Sequence, residues 1–387
     1  MDKNKKNVWY MGFTSFFTDV SSEMIFPILP LFLTTVLNAN MAVVGLIEGI
    51  AESVSSLLKL ISGWISDKFG KKKPLIIAGY SLSTITKPIL AIATNWTHVL
   101  GVRVADRIGK GVRTAPRDAL IAASVKEKDR GKSFGLHRAL DASGAVLGTL
   151  LSFLILRYIT GSVTNNFKLI FWLSFIPGLI AVLVLIFGVR EVKGEVNKKF
   201  SFDFKNLNPD LKKFLFVIAF FGLANFSYAF FILRAKDIGI AISLIPIVYL
   251  VYNLFYAFFS IPAGKISDKI GRKTVLVTGL VLFALTTLGF AFIANITTIW
   301  VLFALYGLFM AVTDGVSRAY VSDLSADGQR GSALGAYHTI VGITVLPANF
   351  LGGILWQKIN VQAAFVYAAF LALVSAVLLI VLIRKKE

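Results

Sequence analysis

The sequence predicts an all-α integral membrane protein whose twelve transmembrane helices form two six-helix bundles, with both termini in the cytoplasm. Three observations predict this fold: the composition, a series of long apolar runs and an internal repeat. Of the 387 residues, 56% are hydrophobic and only 16% are charged, whereas soluble domains carry about 25% charged residues. Composition and run length therefore indicate a membrane protein, and the repeat indicates the two bundles.

Each apolar run is bounded by charged residues, proline or asparagine and is long enough to cross a bilayer as a helix. None shows the period-two alternation of a barrel strand. We interpret the first run as a retained helix rather than a cleaved signal sequence, because it holds Asp19 and Glu23. The predicted spans are 11–37, 41–66, 75–94, 97–121, 134–158, 168–189, 211–235, 241–266, 274–294, 297–321, 332–356 and 362–383.

The basic residues between these spans predict the orientation. Segments on the side of the N-terminus hold 26 Lys and Arg residues, whereas the opposite segments hold five. By the positive-inside rule both termini are cytoplasmic, and we expect a multi-pass protein of the cell membrane that contacts the lipid bilayer. The longest polar stretch, 190–213, is the predicted cytoplasmic linker between an N-terminal bundle, 1–189, and a C-terminal bundle, 214–387.

The two halves repeat one another. Residues 63–73, GWISDKFGKKK, recur 201 positions later as residues 264–273, GKISDKIGRK. Arg117 and Arg318 are separated by the same 201 positions. Two parallel six-helix repeats around a central path are typical of secondary transporters.

The repeated loop follows the pattern G-x-x-x-D-x-x-G-[RK]-[RK], once after the second span and once after the eighth. With this pattern and twelve predicted spans, the sequence resembles the major facilitator superfamily over essentially its whole length. The resemblance implies that the motif forms a conformational gate on the cytoplasmic side. Its residues are Gly63, Asp67, Gly70 and Lys71 in the first copy and Gly264, Asp268, Gly271 and Arg272 in the second.

Two further motifs are similar to those of the prokaryotic drug–proton antiporter branch of that family. Gly135, Gly144 and Gly148 have the spacing of the glycines in its fifth helix, although Thr149 stands where that motif has proline. The fourth-helix motif, an Arg followed by Q-G-x-G, is matched by residues 103–109 with Asp106 and Arg107 in place of Gln and the first Gly. The resemblance implies transport, and the glycine spacing favours export.

Ionisable side chains are concentrated in the spans of the first half. Each costs about 3 kcal/mol at mid-membrane, so they must pair, lie at the interface or line water. Depth along adjacent spans predicts structural ion pairs of Glu48 with Lys87 and of Asp141 with Arg113. The candidates for proton or solute binding lie nearer the middle of their spans and are Asp19, Glu23, Glu52, Arg103, Asp106 and Arg107. A static structural network is the open alternative for these residues.

The second half carries aromatic and amide side chains instead. Tyr249, Tyr252 and Tyr256 lie on one helical face, with Asn253 beside them. Most of the 33 Phe residues are expected to pack or to face lipid. A charged wall opposite a wall of Tyr and Asn fits a small organic, amphipathic solute.

Composition also excludes several functions. The net charge of +19 lies mainly in loops between apolar runs, so we expect no nucleic-acid partner. The absence of Cys and the scatter of three His exclude thiol chemistry and argue against a metal site. No G-x-x-x-x-G-K-[ST] loop is present, so ATP is not the energy source. We expect no cofactor and no enzymatic activity.

We therefore expect a monomeric secondary active transporter that works by alternating access and is coupled to protons through Asp19 and Glu23. Export by antiport is favoured over uptake by symport and over an uncoupled facilitator. A non-transporting membrane sensor and a membrane-embedded enzyme are the more distant alternatives.

Overall fold

The computed structural model describes residues 5–69, 71–126, 129–192, 207–325 and 330–383, and the regular structure within these ranges is helical. Short 3-10 turns at Leu90–Ile92 and Ile242–Leu244 adjoin α4 and α10, and a π-helical segment, Phe32–Val36, follows α2. The helices are α1 Lys5–Glu23, α2 Leu29–Leu31, α3 Met41–Phe69, α4 Lys73–Ile89, α5 Trp96–Ala123, α6 Arg130–Tyr158, α7 Val163–Gly188, α8 Pro209–Gly222, α9 Tyr228–Ile238, α10 Ile245–Ile270, α11 Arg272–Phe292, α12 Ile296–Asp323, α13 Arg330–Lys358 and α14 Val361–Leu382.

Nine of the described helices are long and apolar enough to cross a membrane. The helices outside this set lie in the first, fourth and seventh predicted spans. Helix α5 carries seven charged residues, and α8 and α9 are only 14 and 11 residues long. The nine helices are α3, α4, α6, α7, α10, α11, α12, α13 and α14.

The first and seventh predicted spans are interrupted helices. Helix α1 ends at Glu23, and turns occupy residues 24–28 before α2. Pro27 and Pro30 lie at this break, where each removes a backbone N–H donor that a continuous helix would use. In the seventh span, residues 223–227 separate α8 from α9, and the Ser227 side chain accepts a hydrogen bond from the backbone of α9.

The chain divides into two compact units. The first comprises the described residues of Met1–Ala39, Ile50–Phe200 and Ile242–Pro246, and the second those of Asn40–Gly49, Ser201–Ala241 and Ile247–Glu387. Most of the predicted linker, residues 193–206, lies outside the described residues. Helices α1, α4, α5, α6 and α7 contribute most of the first unit, which holds the clustered charges.

Helix N-caps, like the loop motif, occur at equivalent positions in the two halves. Asn95 caps α5 by accepting a hydrogen bond from Thr97 N at 2.9 Å, and Asn295, 200 positions later, caps α12 by accepting one from Thr297 N at 2.8 Å. These caps satisfy backbone donors that the first turn of a helix leaves free. The same residue type at the same place in each half begins the corresponding helix.

Candidate functional site

Two carboxyl groups face each other across the contact between α1 and α6. Gly144 and Gly148 lie at this contact, and a Cβ added to Gly148 would stand only 2.9 Å from Val20 Cα. Gly144 is pressed against the preceding turn of α1 in the same way. The close approach brings Asp19 on α1 within hydrogen-bonding reach of Asp141 on α6.

Asp141 has further partners on both helices. Ser15 Oγ, one turn before Asp19, donates to Asp141 Oδ1 at 2.5 Å, and Arg138 Nη1 donates to Oδ2 at 3.3 Å. An ionised carboxylate only accepts hydrogen bonds, so a hydrogen bond between two carboxyl groups requires one proton. The Asp19–Asp141 pair is therefore a place where this unit can hold a proton.

A second cluster lies on α5. Arg107 Nη2 pairs with Glu52 Oε1 on α3 at 3.0 Å, while Arg103 lies 4.0 Å from Asp106 one turn along its own helix. Arg107 is 1% exposed, whereas the Glu52 side chain is 31% exposed. The guanidinium groups of Arg103 and Arg107 lie 5.4 and 4.9 Å from the centre of the Phe26 ring, which limits their movement.

The sequence predicts an ion pair between Glu48 and Lys87, but the structure gives these side chains other partners. Lys87 Nζ on α4 donates to the hydroxyls of Ser21 and Ser22 at 2.6 and 3.0 Å. Glu48 accepts a hydrogen bond from Ser227 Oγ at 3.1 Å, within the second unit. Equal depth of two residues in adjacent helices did not identify their partners. Depth does not determine how each helix is rotated about its axis, and this rotation decides which side chains face each other.

The predicted pair of Asp141 with Arg113 is likewise replaced. Arg113 Nη1 donates to Ser83 Oγ at 2.6 Å, and its guanidinium lies 4.3 Å from the centre of the Tyr80 ring. Asp141 is held instead by Ser15 and Arg138. Gly79 and Gly109 place α4 against α5, where a Cβ on either would lie 2.5 Å from the other's carbonyl oxygen. This close approach brings Ser83 within hydrogen-bonding distance of Arg113.

A small cavity of about 20 Å³ lies between these groups. Its polar lining comes from Ser22, Thr86, Lys87, Arg103 and Asp106. A cavity of this size and polarity can hold a water molecule. The cavity therefore provides a site where water could connect Lys87 on α4 with the charges of α5.

The second unit places the predicted aromatic residues in one ladder. The Tyr249 and Tyr252 rings are 5.6 Å apart and the Tyr252 and Tyr256 rings 6.4 Å apart. Tyr228 of α9 and Tyr306 of α12 extend it, with ring separations of 5.3 and 5.0 Å from Tyr249 and Tyr252. The ladder gives this unit an aromatic wall with hydroxyl groups.

Polar groups accompany the ladder. Tyr256 OH donates to Asp314 Oδ2 at 2.6 Å, and Arg318 Nη2 donates to the same oxygen. The Asn253 Nδ2 atom is buried and has no hydrogen-bond partner in the described part of the chain. A hydrogen-bond acceptor on a solute is one group that could bind this Asn253 donor.

The second copy of the loop motif forms an ion network. Arg272 binds Asp268 at 2.8 Å, Asp323 at 2.6 Å and the hydroxyl of Ser267 at 2.8 Å. Gly271 has a φ of +94°, a conformation that favours glycine. The charge on Asp268 and the turn at Gly271 thus have specific structural uses.

The first copy is described in part. A Cβ added to Gly63 would lie 3.4 Å from the Cβ of Ala115 on α5, an ordinary van der Waals contact. Among the described residues, none lies within 4 Å of such an atom on Gly264, so the two glycines differ in their surroundings. Lys71 is exposed, while Gly70 and the Asp67 side chain lie outside what the structure describes.

Several residues of these clusters are not among the sequence-based candidates. Ser15 could have been found from its position four residues before Asp19 on the same helical face. Phe26 and Ser83 carry no signal that separates them from ordinary membrane residues. Asp323 lies 51 positions from Arg272, so only the folded chain shows their contact. Within the described residues, no group of three or more His, Asp or Glu could hold a metal ion.

Comparison with known families gives one clear match. The family model described as Major Facilitator Superfamily matches residues 11–233 and 214–387. An uncharacterized MFS-type transporter of Methanocaldococcus jannaschii is 42% identical over 383 residues, which cover 97% of this chain and 94% of the relative. Multidrug resistance protein 2 of Bacillus subtilis is 24% identical over 388 residues, covering 94% and 92%.

Solved structures show the same fold at low sequence identity. The nucleoside transporter NupG has a TM-score of 0.79 and 13% identity, and the match covers 100% of both chains. A bacterial homologue of the human lysosomal transporter Spinster, inward-facing and occupied, has a TM-score of 0.74 and 15% identity over 97% of this chain and 94% of that one. At these identities the likeness concerns the fold alone.

Proposed function

The chain belongs to the Major Facilitator Superfamily, and we propose that this transporter exports a small organic solute across the cytoplasmic membrane in exchange for protons. The observation that carries the proposal of proton coupling is the contact between the carboxyl groups of Asp19 and Asp141. The pair can pass between one bound proton and none as its access to water changes, which is what coupling by alternating access requires. Glu23, at the break of α1, lies close enough to Asp19 and Lys87 to take part.

The proposal includes twelve spans and cytoplasmic termini. Three spans are added to the nine apolar helices. The first consists of α1 and α2 together, the second of α5 alone, and the third of α8 and α9 together. Charged side chains in α1 and α5 pair within the first unit, so these helices need not expose them to lipid. The excess of Lys and Arg in alternate loops supports the orientation, and the predicted bundles 1–189 and 214–387 with linker 190–213 complete the proposal. We further propose that the transporter is monomeric.

Export is favoured by the glycines of α6 and by a relative. Gly144 and Gly148 match the fifth-helix spacing of drug–proton antiporters, and multidrug resistance protein 2 of Bacillus subtilis is similar over 94% of the chain. The tyrosine ladder supports an organic solute with an apolar part. Uptake by symport and transport without a coupled ion are the alternative outcomes.

The direct test is a ligand-stabilisation screen on the purified protein, followed by flux of each hit in proteoliposomes. We expect an imposed pH gradient to drive the solute against its concentration gradient. Movement of solute and protons in opposite directions supports antiport, and movement in the same direction indicates symport. Flux that ignores the pH gradient would contradict proton coupling.

The motif copies yield a prediction about the proposed gate. Asp268→Asn removes a carboxylate from Arg272, and we expect the transport rate to fall several-fold while insertion and stability persist. The Asp268 side chain is 61% exposed, and exposed ion pairs contribute only about 0–1 kcal/mol to stability. Asp67→Asn is expected to have the same effect through the first copy. Initial rates in proteoliposomes and melting temperatures measure the two quantities.

Asp237→Asn is the matched control, because Asp237 is also exposed and lies 3.9 Å from an arginine, Arg234, outside the motif. We expect that variant to transport at the normal rate. Normal transport by both Asp67→Asn and Asp268→Asn would exclude the gating role.

A further inference from the structure

Arg107 is the most deeply buried cation of α5, and part of its hydrogen-bonding capacity is unused. Nη2 pairs with Glu52, but Nε and Nη1 make no hydrogen bond with any residue in the described ranges. A guanidinium has five N–H donors, and buried donors are nearly always satisfied by protein, water or ligand. Arg107 therefore has donors for an acceptor group in addition to Glu52.

Lys110 lies one turn further along the same helix and, like Arg107, has hydrogen-bond donors that no described residue accepts. Lys110 is half-buried, and its ammonium makes neither a hydrogen bond nor an ion pair with another described residue, although Arg107, Glu52 and Asp19 are close enough to interact with it electrostatically. A partly buried cation without an acceptor is unfavourable. Two neighbouring cations thus have free donors at one place.

The surrounding charges leave an excess of positive charge. Glu52 interacts electrostatically with four cations, which are Arg107, Lys110, Arg103 and Lys59. Asp106 interacts with Arg103 and Arg107, and Asp19 interacts with Lys110, so the four cations face three carboxylates. Water could satisfy the free N–H groups, but it would not neutralise this charge. An anionic ligand would do both.

We propose that Arg107 and Lys110 bind an anionic group of the transported solute, a carboxylate or a phosphate, and that Glu52 competes with that group for Arg107. The inference rests on the proposed transport function and specifies the substrate class of its site. Arginine suits both groups, because its N–H donors bind two oxygens in parallel. Phe26 lies 4.9 Å from the guanidinium and keeps the donor in place, while the Glu52 side chain, at 31% exposed, is the less enclosed partner of the pair.

Binding to the purified full-length protein tests this proposal. The probes are benzoate and phenyl phosphate, compared with neutral benzamide and cationic benzylamine, and the readouts are calorimetric affinity and melting temperature. We expect the two anions to bind saturably and the other two compounds not to bind. The stronger of the two anions identifies a carboxylate or a phosphate as the preferred group.

Variants make the test specific. Arg107→Gln and Lys110→Gln should each weaken anion binding about tenfold or more, and Glu52→Gln should strengthen it because the competing carboxylate is gone. Arg157→Gln is the matched control, since Arg157 is exposed at the end of α6, and it should bind normally. Size-exclusion chromatography checks folding, and Arg107→Lys replaces Arg107→Gln if the latter does not fold.

Two results would overturn the proposal. The first is that both anions fail to bind to the natural chain and to Glu52→Gln. The second is that Arg107→Gln binds the anions as tightly as the natural chain does. Binding of benzylamine that depends on Glu52 would also overturn the proposal and would indicate a cationic solute. These results are independent of flux. Anion binding without transport would support the anion site and contradict the transport proposal. Flux of a neutral or cationic solute without anion binding would support transport and contradict the anion site.

Discussion

Replacing Asp19 with Asn is expected to abolish the effect of a pH gradient on solute flux. Asparagine has nearly the size of aspartate and can donate to Asp141, so α1 and α6 keep a polar contact. The amide cannot release a proton, so the pair loses its exchange between two protonation states. We expect solute still to move down its own gradient, while accumulation driven by an imposed pH gradient disappears. Flux in proteoliposomes with and without the gradient measures both.

Glu23→Gln is expected to weaken the coupling as well, because Glu23 lies in the same group of charges. Asp237→Asn provides the matched control, since Asp237 is exposed near the end of α9 and lies 3.9 Å from Arg234. That variant should retain full coupling. Normal coupling in both Asp19→Asn and Glu23→Gln would show that the charges of α1 are a static network.

Gly148→Ala is expected to lower the melting temperature markedly and to reduce the amount of folded protein. A methyl group there would collide with the backbone of α1 near Val20, and backbone cannot move aside as a flexible side chain can. Overpacking of this kind costs about 1–3 kcal/mol. Gly144→Ala should behave similarly. Thermal unfolding of the detergent-solubilised protein, followed by loss of monodisperse material, measures the effect.

Gly135→Ala is the control on the same helix, because no described residue lies within 4 Å of a Cβ at that position. Alanine also has a higher helix propensity than glycine. We expect this variant to be as stable as the natural chain or slightly more stable. Equal losses of stability at Gly135 and Gly148 would contradict the close contact of α1 with α6.

The family motifs locate important helices without separating the roles of their residues. The fifth-helix spacing treats Gly135, Gly144 and Gly148 as equivalent, but only the last two touch α1. The loop motif likewise treats Gly63 and Gly264 as equivalent, whereas among the described residues an added Cβ would contact a facing helix at Gly63 and nothing at Gly264. A motif describes only the spacing of residues along one segment of the chain. The structural role of each residue depends on which other helices pack against it.

The charged cluster can be predicted from the sequence only in part. Glu52, Arg103 and Arg107 are candidates by their depth in the spans, and the structure brings them to one cluster near Phe26. Depth also predicts pairs of Glu48 with Lys87 and of Asp141 with Arg113, but the structure gives serine hydroxyls, Arg138 and Asp19 as partners instead. The depth of a residue follows from the length of a span, but the direction of its side chain depends on how the helices rotate and pack.

By itself, the sequence determined that the chain is a helical membrane protein of this superfamily, because composition, run length and repeated motifs are properties of the linear chain. Only the tertiary structure decided which ionisable side chains meet. The contact of Asp19 with Asp141 needs two glycines on α6 to admit α1, and the free donors of Arg107 become visible only once every neighbour is in place. Pairing in a membrane interior is set over a few ångströms by helix rotation and close approach, and no spacing along the chain encodes those quantities directly.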